Sequence, residues 1–236
     1  MAAVPDLATR IRAVAQGDTD LWTPPPVRAA ATVALLRDGE AGVEVYLMRR
    51  TSTMAFAPEM HVFPGGAVEA EDGPDGSEES FRAAAIREVE EETGVRIGDL
   101  ADLVPFARWV TPAVEKRRYD TAFFATAVPA EQLPALVGTE ASHARWVTPA
   151  RALAANAAGE MAMLPPTLAT LGQLDGHDDV AATLFAVSRL PRPALMPVPR
   201  AEGEGVAWEL IDYHSGATIT DLEEAGLPPT WGMGLG

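Results

Sequence analysis

The chain has 236 residues, 18 basic against 34 acidic, no cysteine, and a formal net charge of −16 at pH 7. That balance argues against nonspecific binding to DNA or RNA, and the missing cysteines exclude disulfides, thiolate zinc sites and cysteine nucleophiles. No run of about eighteen apolar residues supplies a membrane span, and no basic segment followed by an apolar run marks a secretory leader, so a cytoplasmic protein is expected.

The length suits one large domain, or one domain with extensions, able to bury a substantial core. Residues 5 to 16 predict a short helix with Ile11, Val14 and Ala15 on its inner side. Thr23-Pro24-Pro25-Pro26 reads as a stiff linker. Ala30 to Leu36 reads as a buried strand, Asp38-Gly39 as a turn, and Val43 to Met48 as the returning partner. An irregular excursion from Thr51 to His61 leads to Phe63-Pro64-Gly65-Gly66. Ser77 is placed to cap a helix whose apolar stripe is Phe81, Ala84, Ala85, Ile86 and Val89 and which Gly94 terminates. Leu103 to Val110 and Tyr119 to Val128 predict two strands joined like a hairpin, and Ala144 to Val147 a further one. Thr148 with Pro149 opens a helix through Ala155. Helices are expected over 166–174 and 178–189, a Pro- and Gly-rich surface wrap over 190–205, a strand over 206–213, and a loose tail from Leu227. Helices mixed with hairpins in this order indicate α+β layering of helices on a mixed sheet.

The helix between Ser77 and Gly94 carries the chemistry. Glu88, Glu91 and Glu92 stand at i, i+3 and i+4, so they share one face within a turn. Three crowded carboxylates repel one another unless a cation sits among them, and a hard divalent ion such as Mg²⁺ suits oxygen-only ligands. The stretch from Glu59 to Asp99 holds twelve acidic and three basic residues. A solvated acidic loop accounts for Glu69, Glu71, Asp72, Asp75 and Glu78, but not for the helical spacing of the other three.

Gly73, five residues, Glu79, seven residues, then Arg87-Glu88-Val89-Glu90-Glu91-Glu92-Thr93-Gly94-Val95 resembles the signature of the Nudix hydrolase family over residues 28 to 155. The glycine pair that usually ends a strand ahead of this signature stands earlier here, so Gly66 is the expected structural equivalent and the acidic loop after it is long. Phe63-Pro64-Gly65-Gly66 resembles the branch that includes coenzyme A diphosphatases. Arg50 fits the start of that branch's upstream pattern, but its later Arg and Gly positions fall on Ala55 and Glu59.

The resemblance implies an α/β/α sandwich with a mixed sheet over 28–158, an N-terminal extension over 1–27, and C-terminal helices and tail over 159–236. It implies metal-dependent hydrolysis of a nucleoside diphosphate linked to another group. Mg²⁺ or Mn²⁺ would be held by Glu88, Glu91, Glu92 and the carbonyl of Gly66. Arg87 would orient a carboxylate, and Glu79 would hold Arg87 or a metal-bound water. The general base is Glu91 or a distal acid, Glu140 or Asp120. Arg50, His61 and Arg118 are candidate substrate contacts, with Arg49 and Arg108 as further cations and Trp109 and Tyr119 as rings able to stack on a base. The expected partner is a small nucleotide derivative, with no nucleic acid, no membrane and a possible homodimer. The rival is a Nudix-fold module that binds a nucleotide-like ligand without cleaving it. His177-Asp178-Asp179 reads as a polar loop.

Overall fold

The eight consecutive residues from Ala29 to Leu36 are all buried, which is what a strand covered on both faces requires. In the computed structural model, which describes residues 4–54, 56–74, 76–203 and 205–227, they form the middle of β1 (Val27–Gly39). β1 turns into β2 (Gly42–Arg50) with Gly39 opposite Gly42. The turn is therefore Glu40-Ala41, two residues beyond the expected Asp38-Gly39; Asp38 stays in the strand, and its Oδ1 accepts from Val180 N at 2.8 Å. β6 (Arg118–Ala127) runs parallel to β1 over ten pairs, from Val27↔Arg118 to Leu36↔Ala127.

The sheet runs β3-β2-β1-β6-β5-β8-β9, with β3 (His61–Val62), β5 (Val104–Val110), β8 (Ala194–Glu202) and β9 (Gly205–Asp212). Two pieces lie off this path: β4 (Gly65–Ala67) pairs with β1, and β7 (Ala141–Val147) with β2. β5 and β6 are antiparallel, as the expected hairpin requires. The sheet is thus mixed, and helices cover both faces. On one face α2 (Glu78–Thr93) buries Phe81, Ala84, Ala85 and Val89 against Val33, Leu35, Met48 and Phe124. On the other, α3 (Pro149–Ala157), α4 (Pro165–Leu174) and α5 (Val180–Val187) bury Ala152, Leu171, Leu174 and Val187 against Val45, Leu47, Phe106 and Phe123. The outcome is the layered α/β/α arrangement on a mixed sheet.

Two expectations are corrected. In α1 (Leu7–Gln16) the buried residues are Arg10 and Ala13, whereas Ile11, Val14 and Ala15 are half-buried. Arg10 is drawn in because Nε donates to Val114 O at 2.6 Å and Nη1 to Pro5 O at 2.6 Å, while its guanidinium lies 5.2 Å from the Trp22 ring. Residues 190–205 are not a surface wrap: most of them form β8, inserted between β5 and β9, so the C-terminal part adds strands to the sheet as well as helices. Pro197 and Pro199 are two residues apart, so their missing donors lie on one side of the strand. β5 pairs only with Ala194 and Leu195, which leaves that side open where the prolines fall. The expected tail beyond Leu227 lies outside the described residues, as do Ala55 and Asp75.

Candidate active site

α2 is built to hold its acids in a fixed place. Ser77 Oγ accepts from Ser80 N at 3.0 Å, Glu78 and Glu79 occupy the first turn where the helix dipole favours them, and Gly94 ends the helix at φ 71°. The apolar stripe seats the helix on the sheet. Glu88 and Glu92 flank that stripe and face β4.

Contact with β4 is close. Gly65 N donates to Glu92 Oε2 at 2.8 Å. A Cβ on Gly66 would collide with the Glu88 carboxylate, so only a bare backbone lets the strand come so near. Gly73, by contrast, faces Ser80 in ordinary van der Waals contact, so Gly66 and not Gly73 adjoins the acids.

Burial pushes the Glu92 carboxyl up to about 7, and the charges of Glu88 and Glu140 add to the shift; the Gly65 N–H and Arg50 oppose it. Burial also raises Glu88, opposed by Arg87 and reinforced by Glu91 and Glu140. Two partly desolvated carboxylates therefore stand on one helix face against β4, with further acids felt there and too little positive charge to balance them.

Arg87 supplies part of it. Its Nη1 donates to Glu88 Oε1 at 2.8 Å and to Glu91 Oε2 at 3.4 Å. Its other edge is held by Asp72: Nε donates to Oδ1 at 3.1 Å and Nη2 to Oδ2 at 2.8 Å, while Nη2 also donates to Ala67 O at 3.0 Å. Burial pushes the Asp72 carboxyl up, but the Arg87 donors and the Glu69 N–H outweigh it and hold it below the usual range. Asp72 therefore leaves the solvated-loop account, which is corrected here: it is 7% exposed. Its spacing carries a readable signal, since Gly66 followed by five residues reaches Asp72, just as Gly73 followed by five reaches Glu79.

The structure gathers only some of the other expected residues. The charges of Arg50 and Glu140 are both felt at Glu92. Thr51 N donates to Glu140 O at 2.9 Å, and Arg50 Nε to Phe56 O at 3.2 Å, which ties the excursion after β2 to the same place. The Phe56 ring meets Tyr119 edge-on at 5.4 Å. Glu91 is on the rim, with its side chain 57% exposed. Glu79 is exposed and makes no hydrogen bond or ion pair among the described residues; eight residues of helix, about 12 Å, separate it from Arg87.

His61, Arg118 and Asp120 are placed elsewhere. His61 is buried with Nδ1 unpaired, and its pKa is lowered by burial and by Arg145, Arg49 and His143 rather than answering to the acids of α2. Arg49 pairs with Glu59 on that same side. Arg118 donates to Thr111 O, Pro25 O and Met196 Sδ, which ties β6 to the linker and β8. Asp120 is locked by both prongs of Arg108 at 2.7 Å, and Arg108 lies 4.9 Å from the Phe81 ring, about 16 Å down the helix from Glu92. Trp109 is a core residue. His177 Nε2 lies 3.3 Å from Gln173 O and Asp179 caps α5, as a polar loop would have it. A hollow of about 470 Å³ beside Arg108 and Arg192, and one of about 620 Å³ along the outer side of α2, are not lined by Glu88, Glu92 or Gly66.

The donor set at β4 and α2 is all oxygen and carries excess negative charge, which fits a hard divalent cation. Among the described residues no three His, Asp or Glu side chains close round an ion. A Mg²⁺ ion here would therefore rest on one or two carboxylates, with waters and substrate phosphates completing the octahedron.

Comparison with known proteins bears on the fold and the family. A model of the NUDIX domain matches residues 26–167. A Caenorhabditis elegans protein described as putative nudix hydrolase 7 is 29% identical over 169 residues, 57% of this chain and 57% of that protein, so the chain spans little more than half of that relative's length. The crystal structure of a NUDIX hydrolase from Alicyclobacillus acidocaldarius matches with a TM-score of 0.60 at 27% identity, covering 68% of this chain and 96% of that one.

Proposed function

The chain belongs to the NUDIX family, and from that premise we propose that it hydrolyses the diphosphate of a nucleoside diphosphate linked to another group, with a divalent cation at Glu88 and Glu92. The observation that carries this reading is the pair of desolvated carboxylates packed on the bare backbone of Gly65 and Gly66.

Each residue has a part in the reaction. Glu88 and Glu92, with the Gly66 carbonyl, would hold Mg²⁺ or Mn²⁺, and Glu91 on the rim would join through water. The ion, when bound, neutralises phosphoryl oxygens and acidifies water. Arg50, whose charge is felt at Glu92, would meet a substrate phosphate. Water attacks one phosphorus, the bridging P–O bond breaks, and a phosphate monoester leaves. Either Glu140 or Glu91 accepts the proton of that water. Glu140 has in its favour that its charge is felt at Glu88 and Glu92 and that no ion pair holds it among the described residues, whereas Arg87 donates to Glu91. Asp120 is a poor base here, since both its oxygens are taken by charge-assisted bonds from Arg108.

The test is a panel of diphosphate compounds with Mg²⁺ or Mn²⁺, following released phosphate monoester in the native chain and in Glu92→Gln. Turnover that needs the cation and falls at least about 100-fold in the variant supports the reading. Ligand binding with no turnover in the native chain would instead identify a binding module.

A further inference from the structure

We propose that His61, Arg49 and His143, in one row across β3, β2 and β7, form with Arg145 a second site, which binds the phosphoryl oxygens of inorganic phosphate or of a phosphate monoester on the face of the sheet turned away from α2. The site stands apart from the hydrolase reading and shares no side chain with it.

Strand register makes the row. Arg49 lies directly opposite His61 in β3 and opposite His143 in β7, and Leu47, two residues earlier, lies opposite Arg145. Directly paired residues put their side chains on one face, roughly 5 Å apart, and side chains alternate along a strand. Leu47 belongs to the core under α3–α5 and Met48 to the core under α2. The four groups therefore share the α3–α5 face, whereas Glu88 and Glu92 rise from the helix on the opposite one. Main-chain and side-chain bonds hold the row in place: Arg50 N donates to Met60 O at 3.0 Å, His61 N to Ala162 O at 2.8 Å, and Ser142 Oγ to Arg49 O at 3.3 Å.

His61 is 5% exposed, and its Nδ1 is buried with no hydrogen-bond partner among the described residues. A buried polar atom left unpaired is costly, and it marks a place where a ligand group gains a bond. Burial lowers the pKa of this ring, and the charges of Arg145, Arg49 and His143 lower it further, so positive charge outweighs negative around it. In a chain of net charge −16 such a gathering of cations is out of keeping with the rest. Two histidines flanking an arginine do not suit a metal ion, because a guanidinium carries only donors; they suit an anion. The chain's own carboxylate there is Glu59, which accepts from Arg49 Nη2 with half of its side chain exposed. Glu59 holds φ 65°, a left-handed conformation unfavourable to any residue with a Cβ. It is thus a placeholder: an exposed ion pair contributes little, and its release relieves the backbone. Phosphate carries more charge and offers its oxygens to the arginine fork and to imidazole N–H groups at once.

The experiment follows the C2–H signals of the four histidines by NMR in the metal-free full chain. Inorganic phosphate or AMP is added at fixed ionic strength and fixed neutral pH. The signals of His61 and His143 are expected to shift along one saturating curve while those of His177 and His214 stay. Arg49→Gln should weaken binding at least about tenfold, the worth of one charge-assisted hydrogen bond. Glu59→Gln, which removes the competing carboxylate, should tighten it severalfold. AMP binding tighter than phosphate assigns the site to the phosphoryl end of a nucleotide; AMP binding no tighter assigns it to the free anion. If Arg49→Gln does not fold, Arg145→Gln carries the test, with binding again weakened. Shifts spread alike over all four histidines, no saturation by roughly 50 mM phosphate in Glu59→Gln, or native affinity in the arginine variant would each overturn the proposal.

Discussion

Glu92 bears the heaviest electrostatic load in the metal-free protein. Its carboxyl is raised from an ordinary 4.5 to about 7. Between those values the folded state keeps a proton that the unfolded chain has released. Stability from this group is therefore fully present below pH 4.5, declines as pH rises toward about 7, and is level above, a loss on the order of 3 kcal/mol. Asp72 and Asp212, whose carboxyls are held low, act only at the acid end and in the opposite sense. The metal-free protein should melt lower near pH 8 than near pH 5.5, and Glu92→Gln should remove most of that difference. Millimolar Mg²⁺ should raise the melting temperature near pH 8, since a ligand bound only to the native state stabilises it. A calorimetric scan that is flat with pH and indifferent to Mg²⁺ would count against the site. A second expectation concerns Gly66→Ala. Its methyl group would displace the Glu88 carboxylate, not the main chain, so turnover should fall at least about tenfold while the fold persists. Circular dichroism together with an assay separates the two. Glu88 and Glu92 were legible in the sequence because helical period alone places them on one face. Asp72 was legible only as a spacing, five residues after Gly66, because an acid in an acidic loop meets its partner only when chain reversal brings it to Arg87. The nearness of Glu140 depends on the pairing of Thr51 N with its carbonyl, which no local pattern encodes.

Local chemistry was a good guide to the elements. The caps at Ser77, Gly94 and Thr148 fall where their side chains or φ demand, and the apolar runs of β1, β2, β5 and β6 mark strands whose ends shift by a few residues. β8 escaped notice because proline ordinarily argues against a paired strand; only its neighbours reveal that the prolines face an open side. α2 has a further device at its end. Ala135 N donates to Thr93 O at 3.0 Å and Val137 N to Glu92 O at 2.9 Å, so the segment leading to Glu140 satisfies the last carbonyls of the helix. The acid and the helix end are thus positioned together. Gly94→Ala would force an alanine into the left-handed region at φ 71°, at a cost of about 1 kcal/mol. It should lower the denaturation midpoint and loosen the 129–140 segment, measurable as faster amide exchange at Ala135 and Val137.

At the scale of the molecule, charge and topology act on the same region. Twelve of the 34 acidic residues lie between Glu59 and Asp99, and β4, which meets Glu88 and Glu92, pairs with β1 inside the sheet. Such a field draws cations and repels bare polyanions. Arg10 and Trp22 fasten the N-terminal segment to the carbonyls of Val114 and Ala113, and Ala225 and Leu227 are buried in the core shared with α3–α5. The chain thus closes over its own sheet from both ends. The C-terminal return has one more effect. Asp212 N donates to Ala217 O, and Ile219 N to Leu210 O, which occupies the outer rim of β9 near Ile211. That rim is otherwise a ready template for a second chain, and the few residues after Gly216 are expected to guard it. Ile219→Pro, which deletes one of those donors, should shift the protein toward larger species in size-exclusion chromatography, and an unaltered elution volume would show that the guard lies elsewhere.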